Sequence, residues 1–397
     1  MAALARPSLY IFFAIFFVFL LAIQYRYAQQ HFPLIEMQRL LVSPSAMDKS
    51  EVRRAAEKDL VKRLYYNPLD QNALAAYFKL RDPDISPVTR KRFLVALNSV
   101  GWRSVFAQQT IISEAVKKAD FKTIVERSDA LLRRNQARDE ILQLLSLAET
   151  SDQTSDVLVK RLRSNPPWRK DFFQRASLLR TDQQVSGRVK TLQTMIDNGY
   201  YITRSELVPA SNALIKAGNY QPVLGLVRSY KKVSGNDAQD LSDSKFQTLA
   251  SVLESGDRLL PFEWQPGDSK GLSVRAENVA GKSSLRVRWN GRGLPIFLTR
   301  RLYLQNPSSI KIALDIRPNK LEAAQVIQIN ATCPGQTVAL EPSTPTNAGS
   351  MIWRSREEIS CNFPLIKIGS KPAFTRRNLD VMIDSALISN LDTGAPI

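Results

Sequence analysis

The alternation of apolar and polar residues changes twice along this chain. Residues 9–23 form an unbroken apolar run inside the uncharged stretch 7–25. From residue 49 to 257, apolar residues recur at three- and four-residue spacing, the period of amphipathic helices. From residue 258 onward, short runs alternate between apolar and polar, which is typical of β-strands. The pattern therefore predicts one apolar helix, then a helical domain, then a β domain.

The stretch 7–25 is long enough to cross a membrane. Its nineteen residues would rise roughly 28 Å as a helix, close to the hydrocarbon thickness of a bilayer. Two other interpretations are a cleaved signal peptide and a buried soluble helix. Only Ala28 offers a small residue near a cleavage site, whereas Tyr25, Arg26 and Tyr27 suit a membrane interface. We therefore expect an uncleaved, single-pass transmembrane anchor.

The orientation of this anchor follows from the residues on either side. Arg6 precedes it, and Arg26 and Arg39 follow it, so the positive charges are nearly balanced. A tail of only six residues, 1–6, favours a cytoplasmic N-terminus with the bulk of the chain exported. We expect a protein of the bacterial inner membrane whose main part lies in the periplasm, joined to the anchor by a linker over residues 26–48.

The helical domain, residues 49–257, contains an internal repeat. LVKRLYYNP at residues 60–68 returns as LVKRLRSNP at 158–166. Turns after the first helix of each unit mark a spacing of 34, 34, 30, 33 and 34 residues; they lie at Asn67, Gly101, Asn135, Asn165, Asn198 and Lys232. A period near 34 built from two short helices is typical of a solenoid.

Over residues 50–255 the chain resembles the tetratricopeptide-repeat family, most clearly at Asn67-Pro68 followed by ALAAY at 73–77. Few of the family's other marker residues are kept, so we expect five or six degenerate helix pairs, with a generic helical bundle as the alternative. The resemblance implies a concave surface that binds a protein partner. Basic residues could line that surface or lie on the outer face: Arg53, Arg54, Lys62, Arg63, Arg133, Arg134, Lys160, Arg161 and Arg163.

The β domain, residues 258–397, is predicted to be an all-β antiparallel sandwich. Its expected strands cover residues 272–278, 284–290, 296–305, 309–317, 324–333 and 379–389. Three segments resemble the jelly-roll modules of galactose-binding and other carbohydrate-binding families: Phe262-Glu263-Trp264, residues 284–289, and residues 302–317 with their turn. The family's Pro-Gly-X-Tyr turn is replaced by Asn-Pro-Ser-Ser-Ile at 306–310.

The resemblance implies sugar binding, which needs flat aromatic faces and planar polar groups. The candidate glycan-binding residues are Trp353, Tyr303, Arg300, Arg301 and Gln305. Trp264 and Trp289 fall on strand positions that we expect to face the core. Trp353 follows an irregular stretch and is expected to be the most exposed of these aromatic side chains.

Composition adds a charge imbalance and a pair of cysteines. Of the formal net charge of +18, residues 261–397 carry +6 and the rest of the chain carries +12. Such a field favours anionic partners, either lipid headgroups or an acidic polysaccharide, or it is simply a solvated basic surface; no nucleic-acid partner is expected. Cys333 and Cys361 are the only cysteines. They would form a disulfide in an oxidising compartment, or remain two free thiols.

The sequence contains few of the residues that enzymes need. Its one histidine, His31, lies in the linker, which excludes histidine-dependent triads and zinc sites from the folded part. No phosphate-binding glycine motif occurs. Carboxylates at Glu357, Glu358, Asp380 and Asp384 leave a glycosidase open as an alternative. We expect no catalytic residue, cofactor or metal.

These observations predict a non-enzymatic, membrane-anchored envelope protein. Its helical repeats would bind a protein, and its β domain would bind a glycan during polysaccharide assembly or export. The alternatives are a pure scaffold without glycan binding and a carbohydrate-active enzyme.

Overall fold

The computed structural model describes residues 50–81, 84–233, 243–279, 282–318, 320–343, 350–372 and 378–391. The predicted anchor at 7–25 lies outside these residues. Among the described helices, none combines the length and apolar character that crossing a bilayer requires. The chain divides into two compact units, Met1–Ile141 and Leu142–Ile397, so the second contains both helices and strands.

The helices of the first unit are α1 (Ser50–Tyr66), α2 (Gln71–Arg81), α3 (Pro87–Val100), α4 (Val105–Lys117) and α5 (Phe121–Arg133), and α6 (Arg138–Ala148) spans the boundary between the units. Ser86, Ser104 and Asp120 cap α3, α4 and α5 by accepting backbone N–H groups of the first turn. Small and large apolar residues alternate in the core, for example Ala73, Ala76 and Phe78. Small side chains let neighbouring helices approach closely.

The helices at the start of the second unit are α7 (Asp152–Arg163), α8 (Arg169–Gln174), α9 (Asp182–Asp197), α10 (Arg204–Lys216), α11 (Tyr220–Val233) and α12 (Gln247–Ser255). Capping boxes begin α9 and α10, where Thr181 pairs with Gln184 and Thr203 with Glu206. Both motifs satisfy backbone donors that the first turn of a helix leaves free.

The described helices form a repeat. Each of the six turn positions marked in the sequence lies within two residues of the end of α1, α3, α5, α7, α9 or α11. Asn135 and Asn165 adopt positive φ angles of 55° and 48° there, which asparagine tolerates better than most residues. Within the units, alternate helices pack together: α2 on α4, α7 on α9, α9 on α11, and α8 on α10. The expected helical-repeat character is confirmed.

In the described part of the chain, ten antiparallel strands form one sheet: β1 (Gln265–Pro266), β2 (Leu272–Val279), β3 (Lys282–Trp289), β4 (Ile296–Arg301), β5 (Ile310–Arg317), β6 (Ile327–Cys333), β7 (Gln336–Ser343), β8 (Met351–Ser355), β9 (Leu365–Ser370) and β10 (Leu379–Asn390). Their order is β1-β4-β9-β6-β7-β8-β5-β10-β3-β2. The predicted antiparallel all-β domain is confirmed. Its strands are joined in a single hydrogen-bonded sheet that curves into a near-barrel.

Several strand predictions need correction. Residues 324–333 were expected to be one strand, but helix α13 (Lys320–Val326) precedes β6. The strand expected over 296–305 ends at Arg301. Strands β7, β8 and β9 were not predicted, because Pro, Gly, Ser and Thr separate short apolar runs in that part of the sequence.

The inner face of the sheet is apolar and the outer face is polar. Buried and partly exposed residues alternate strictly along β6, from Ile327 to Cys333. Trp264 and Trp289 are 0% and 5% exposed, as expected for core residues. Cys333 and Cys361 form a disulfide, with Cα atoms 5.9 Å apart, which confirms the predicted pairing.

Candidate functional site

The second unit contains a cleft of about 460 Å³ where helices α10 and α12 meet strand β4. We call it the junction cleft. Val208 and Asn212 of α10 form one wall, and Thr299, Arg300 and Arg301 of β4 form another. The segment 257–263, which connects α12 to the sheet, forms the floor, and its Asp257 and Arg258 are exposed. The cleft volume lies within the usual range for a small-molecule site.

A buried group of charges borders this cleft. Glu263 is 1% exposed and accepts hydrogen bonds from Arg204 Nη1 at 2.7 Å and from the Leu260 backbone N–H at 2.8 Å. Lys231 Nζ lies 3.9 Å from Glu263 Oε1. Arg204 lies on α10 and Lys231 lies on α11, whereas Glu263 lies in the segment that leads into β1. This group of charges therefore connects the helices to the sheet.

Burial dominates the electrostatics of this group. Burial lowers the pKa of Lys231, although Glu263 and Asp243 oppose that shift. Burial also raises the pKa of Asp243, and the backbone N–H groups of Thr248 and Leu249 act in the opposite direction. Both directions follow from the cost of holding a charge away from water. Lys231 and Asp243 both interact with neighbouring protein groups. We therefore assign them the role of positioning the helices against the sheet.

Beside the cleft lies an aromatic patch, defined by Tyr220, Phe262, Tyr303 and Phe363. Phe363 is its centre: its ring centroid lies 5.2 Å from that of Tyr220, 5.3 Å from Tyr303 and 6.1 Å from Phe262. Phe262 is buried, whereas the other three rings are partly exposed. The patch therefore offers aromatic surface to solvent, packed against a buried ring.

Two arginines flank the aromatic patch. The Arg301 guanidinium lies 4.4 Å from the ring centroid of Tyr220, and its Nη1 donates a 2.8 Å hydrogen bond to the Phe363 carbonyl. The Arg228 guanidinium lies 5.3 Å from the ring of Tyr303 and is exposed. Burial lowers the pKa of Arg301, but a guanidinium stays charged at neutral pH. Aromatic faces and cations are thus combined at one partly exposed site.

The structure brings together only some of the predicted glycan-binding residues. Arg301 and Tyr303 belong to the site just described, and Gln305 is exposed two residues further along, where Asn362 Nδ2 donates to its carbonyl at 3.0 Å. Arg300 lines the cleft but is 2% exposed, and its Nε donates to the Phe262 carbonyl at 3.1 Å. Because its guanidinium is buried, Arg300 stabilises the wall of the cleft and offers little surface to a ligand.

The expectation that Trp353 is exposed was wrong. Trp353 lies on β8 opposite Ile312 of β5 and is fully buried. Buried and more exposed positions alternate along β8, and Trp353 occupies one of the buried ones. Its indole faces the core of the sheet and does not reach solvent.

The structure also shows where the carboxylates considered for a glycosidase lie. Asp380 pairs with Arg286 at 2.9 Å and Arg288 at 3.3 Å, and Asp384 pairs with Arg317. Asp380 and Asp384 lie on the polar face of the sheet, whereas Glu357 and Glu358 are exposed in the segment between β8 and β9. In the described part of the chain, no group of three or more His, Cys, Asp or Glu side chains is arranged to hold a metal ion.

Sequence reasoning missed Tyr220, Arg228 and Phe363 as parts of a site. Tyr220 begins a repeat helix and Phe363 lies near a disulfide, and no local pattern joins them. Residues 262–264 could be identified from the sequence, because they belong to the segments that resemble carbohydrate-binding modules. Compared with protein-family models and with curated proteins, the sequence matches none.

Proposed function

We propose that this chain is a non-enzymatic adaptor of the bacterial cell envelope that binds an acidic glycan at the aromatic patch beside the junction cleft and a protein partner through its helical repeats. The partly exposed aromatic patch, flanked by Arg301 and Arg228 and opening beside the cleft, carries this proposal. The site differs from the one that the jelly-roll resemblance implies, since Trp353 takes no part in it.

The chemistry of the patch suits a sugar with a negative charge. Partly exposed Tyr220, Tyr303 and Phe363 offer apolar ring faces, against which the C–H face of a pyranose can pack. Arg301 and Arg228 offer planar donors that match a carboxylate or a pair of hydroxyls. The overall charge of +18 would attract an acidic polysaccharide over a longer range.

The protein partner is assigned to the first unit. Large apolar side chains near the end of α1 are exposed, with Tyr65 at 82%, Tyr66 at 75% and Leu69 at 67%. Exposed apolar groups of this size are typical of protein-binding surfaces. Basic side chains such as Arg54 and Lys62 on the same helix are also exposed and would favour an acidic partner segment.

The proposed location is the periplasmic side of the inner membrane. The uncharged stretch 7–25 supports an anchor, and the Cys333–Cys361 disulfide supports an oxidising compartment. Polysaccharide assembly or export is the process that would place an anchored adaptor next to an acidic glycan. A reporter active only in the periplasm, fused after Ile397, should be active; activity of a cytoplasm-only reporter there would contradict this location.

A glycan array tests the binding. The full-length chain in mild detergent should bind acidic glycans, and Arg301→Gln should weaken that binding about tenfold, because one charged hydrogen-bond donor is lost. Arg54→Gln, an exposed arginine on α1, is the matched control and should bind like the unaltered chain.

Two results would contradict the proposal and favour one of the alternative functions. Absence of binding to any glycan would leave a pure scaffold. Turnover of a bound glycan that Asp380→Asn or Asp384→Asn abolishes would establish a carbohydrate-active enzyme.

A further inference from the structure

Strand β2 (Leu272–Val279) is an edge of the sheet. The strand order ends at β2, which pairs with β3 on one side. The opposite edge strand, β1, has only two residues. An edge strand of eight residues presents free backbone donors and acceptors, which is the usual template for adding another strand.

Two hydrogen bonds show which residues of β2 have free backbone groups. Asn290 donates to the Gly271 carbonyl at 3.1 Å, so Gly271 and every second residue after it point their backbone groups toward β3. Leu272 N–H instead donates to Ser269, away from β3. Val274, Ala276 and Asn278 therefore direct N–H and C=O outward, and no other described residue hydrogen-bonds to these groups.

A second copy of β2 could pair with this edge only in a few antiparallel registers. Residues whose backbone groups point outward in one copy must pair with such residues of the other copy. The two-fold axis therefore passes through one of these residues or midway between two of them. An axis at position 275 would place Arg275 opposite the same arginine of the second copy, and an axis at 277 would place Glu277 opposite itself. An axis at Ala276 places Arg275 opposite Glu277 twice, at non-hydrogen-bonded positions where side chains are closest.

The charges on the outer face leave Arg275 without a carboxylate. Its neighbour across the β2–β3 pair is Arg286, a like charge. Arg286 itself pairs with Asp380 and Glu277, at 2.9 and 3.4 Å, and Arg288 also pairs with Asp380. Within the described residues, no carboxylate forms an ion pair with Arg275. Glu277 of a second copy would supply one.

The apolar residues on the inner face of β2 also favour pairing with a second copy. Leu272, Val274 and Ala276 pack against the core but remain partly exposed, whereas Leu285 and Val287 on neighbouring β3 are fully buried. A two-fold axis perpendicular to the sheet keeps the two inner faces on the same side. Helix α12 already packs against β2, and the half-covered apolar residues of each β2 would gain further cover from the other copy.

We propose that the chain forms a symmetric dimer through β2, with the two-fold axis at Ala276, so that the two sheets continue into one. The interface is isologous, and each Arg275 faces Glu277 of the second copy. This dimer is independent of the proposed glycan binding, since the aromatic patch and the cleft use other elements.

Oligomeric state gives the first test. Light scattering on the full-length chain in mild detergent, corrected for bound detergent, should give a dimer. Arg275→Glu should weaken dimerisation about tenfold or more, since two attractive pairs become two repulsive ones. Arg275→Glu combined with Glu277→Arg should restore it, because the opposite charges are exchanged. Arg103→Glu, at an exposed arginine of the first unit, is the control for a change in net charge.

Cross-linking gives the second test and fixes the register. Ala276→Cys places two thiols at the axis, where paired Cα atoms lie about 5.5 Å apart, within reach of a disulfide. Asn278→Cys places them about 14 Å apart, four residues out of register, and is the control. Mild oxidation should link the first variant and not the second. A monomeric chain, a dimer unaffected by Arg275→Glu, or equal cross-linking of both cysteine variants would overturn the proposal.

Discussion

The helical repeats and the sheet of the second unit use charge in opposite ways. The repeats bury two of their ion pairs: Arg188 and Glu149 meet at 2.8 Å with both side chains 0% exposed, and Arg169 and Glu206 meet at 2.8 Å with both at 5%. The sheet keeps its ion pairs on the outer face, where Asp380 is 53% exposed. The two regions therefore depend on charge to very different degrees.

Sequence separation explains the difference. Arg188 and Glu149 are 39 residues apart, and Arg169 and Glu206 are 37 apart, so each pair joins neighbouring repeats. Stacked helices have no backbone hydrogen bonds between them, and a buried pair can favour one register of stacking. Strands fix their register through backbone hydrogen bonds and the alternation of faces. The sheet can therefore leave its charges in solvent.

The largest effect is expected in the buried pair of the repeats. Glu149→Leu leaves Arg188 charged and buried without its carboxylate, which should cost about 3–5 kcal/mol in the free energy of unfolding. Arg188 also packs over Phe172 at 3.9 Å, so its guanidinium has little room to move toward water. Urea denaturation followed by circular dichroism measures the change.

The control for this prediction removes both charges. Glu149→Leu combined with Arg188→Met should recover most of the lost stability, because no unpaired charge remains buried. A loss below about 1 kcal/mol in the single variant would mean that the buried pair does not hold the repeats together.

An intermediate effect is expected in the core of the sheet. Leu314→Ala on β5 removes a fully buried side chain and should lower the free energy of unfolding by about 3 kcal/mol through lost burial and a cavity. Leu387 on β10 is 43% exposed, so Leu387→Ala is the matched control and should cost about 1 kcal/mol or less. Equal losses in thermal or urea unfolding would contradict the assignment of inner and outer faces.

The smallest effect is expected on the outer face. Asp380→Asn should change the free energy of unfolding by less than about 1 kcal/mol, because exposed ion pairs contribute little. Hydrogen bonding to Arg286 holds the pKa of Asp380 below its usual range. Its contribution is thus present above the ordinary aspartate pKa and is lost as pH falls through the lower, folded-state value. Urea titrations at neutral and acidic pH measure this, and Asp268→Asn, exposed elsewhere, is the control.

Much of the secondary structure could be predicted from the sequence, because it depends on local periodicity. The turns near Asn135 and Asn165 were placed by repeat spacing, and the alternation along β5 and β10 marked those strands. The position of Trp353 could not be predicted, because its neighbours Pro342 and Ile312 belong to other strands. Helix α13 was missed because its apolar residues run directly into those of β6.

The candidate site was harder to predict than the fold. Arg301 and Tyr303 were chosen for their chemistry, and the structure places both beside Tyr220 and Phe363. Those partners come from distant parts of the chain and meet only when the helices pack against the sheet. Single-sequence patterns report local periodicity and carry no signal for such a meeting.

The central claim, glycan binding at the aromatic patch, is tested most directly by calorimetric titration of the full-length chain with an acidic oligosaccharide selected on the array. Tyr303→Ala removes a partly exposed ring of the patch and should weaken binding about tenfold. Tyr201→Ala removes a tyrosine that is 81% exposed on the helical side and should leave the affinity unchanged. Equal affinity in both variants would contradict the account.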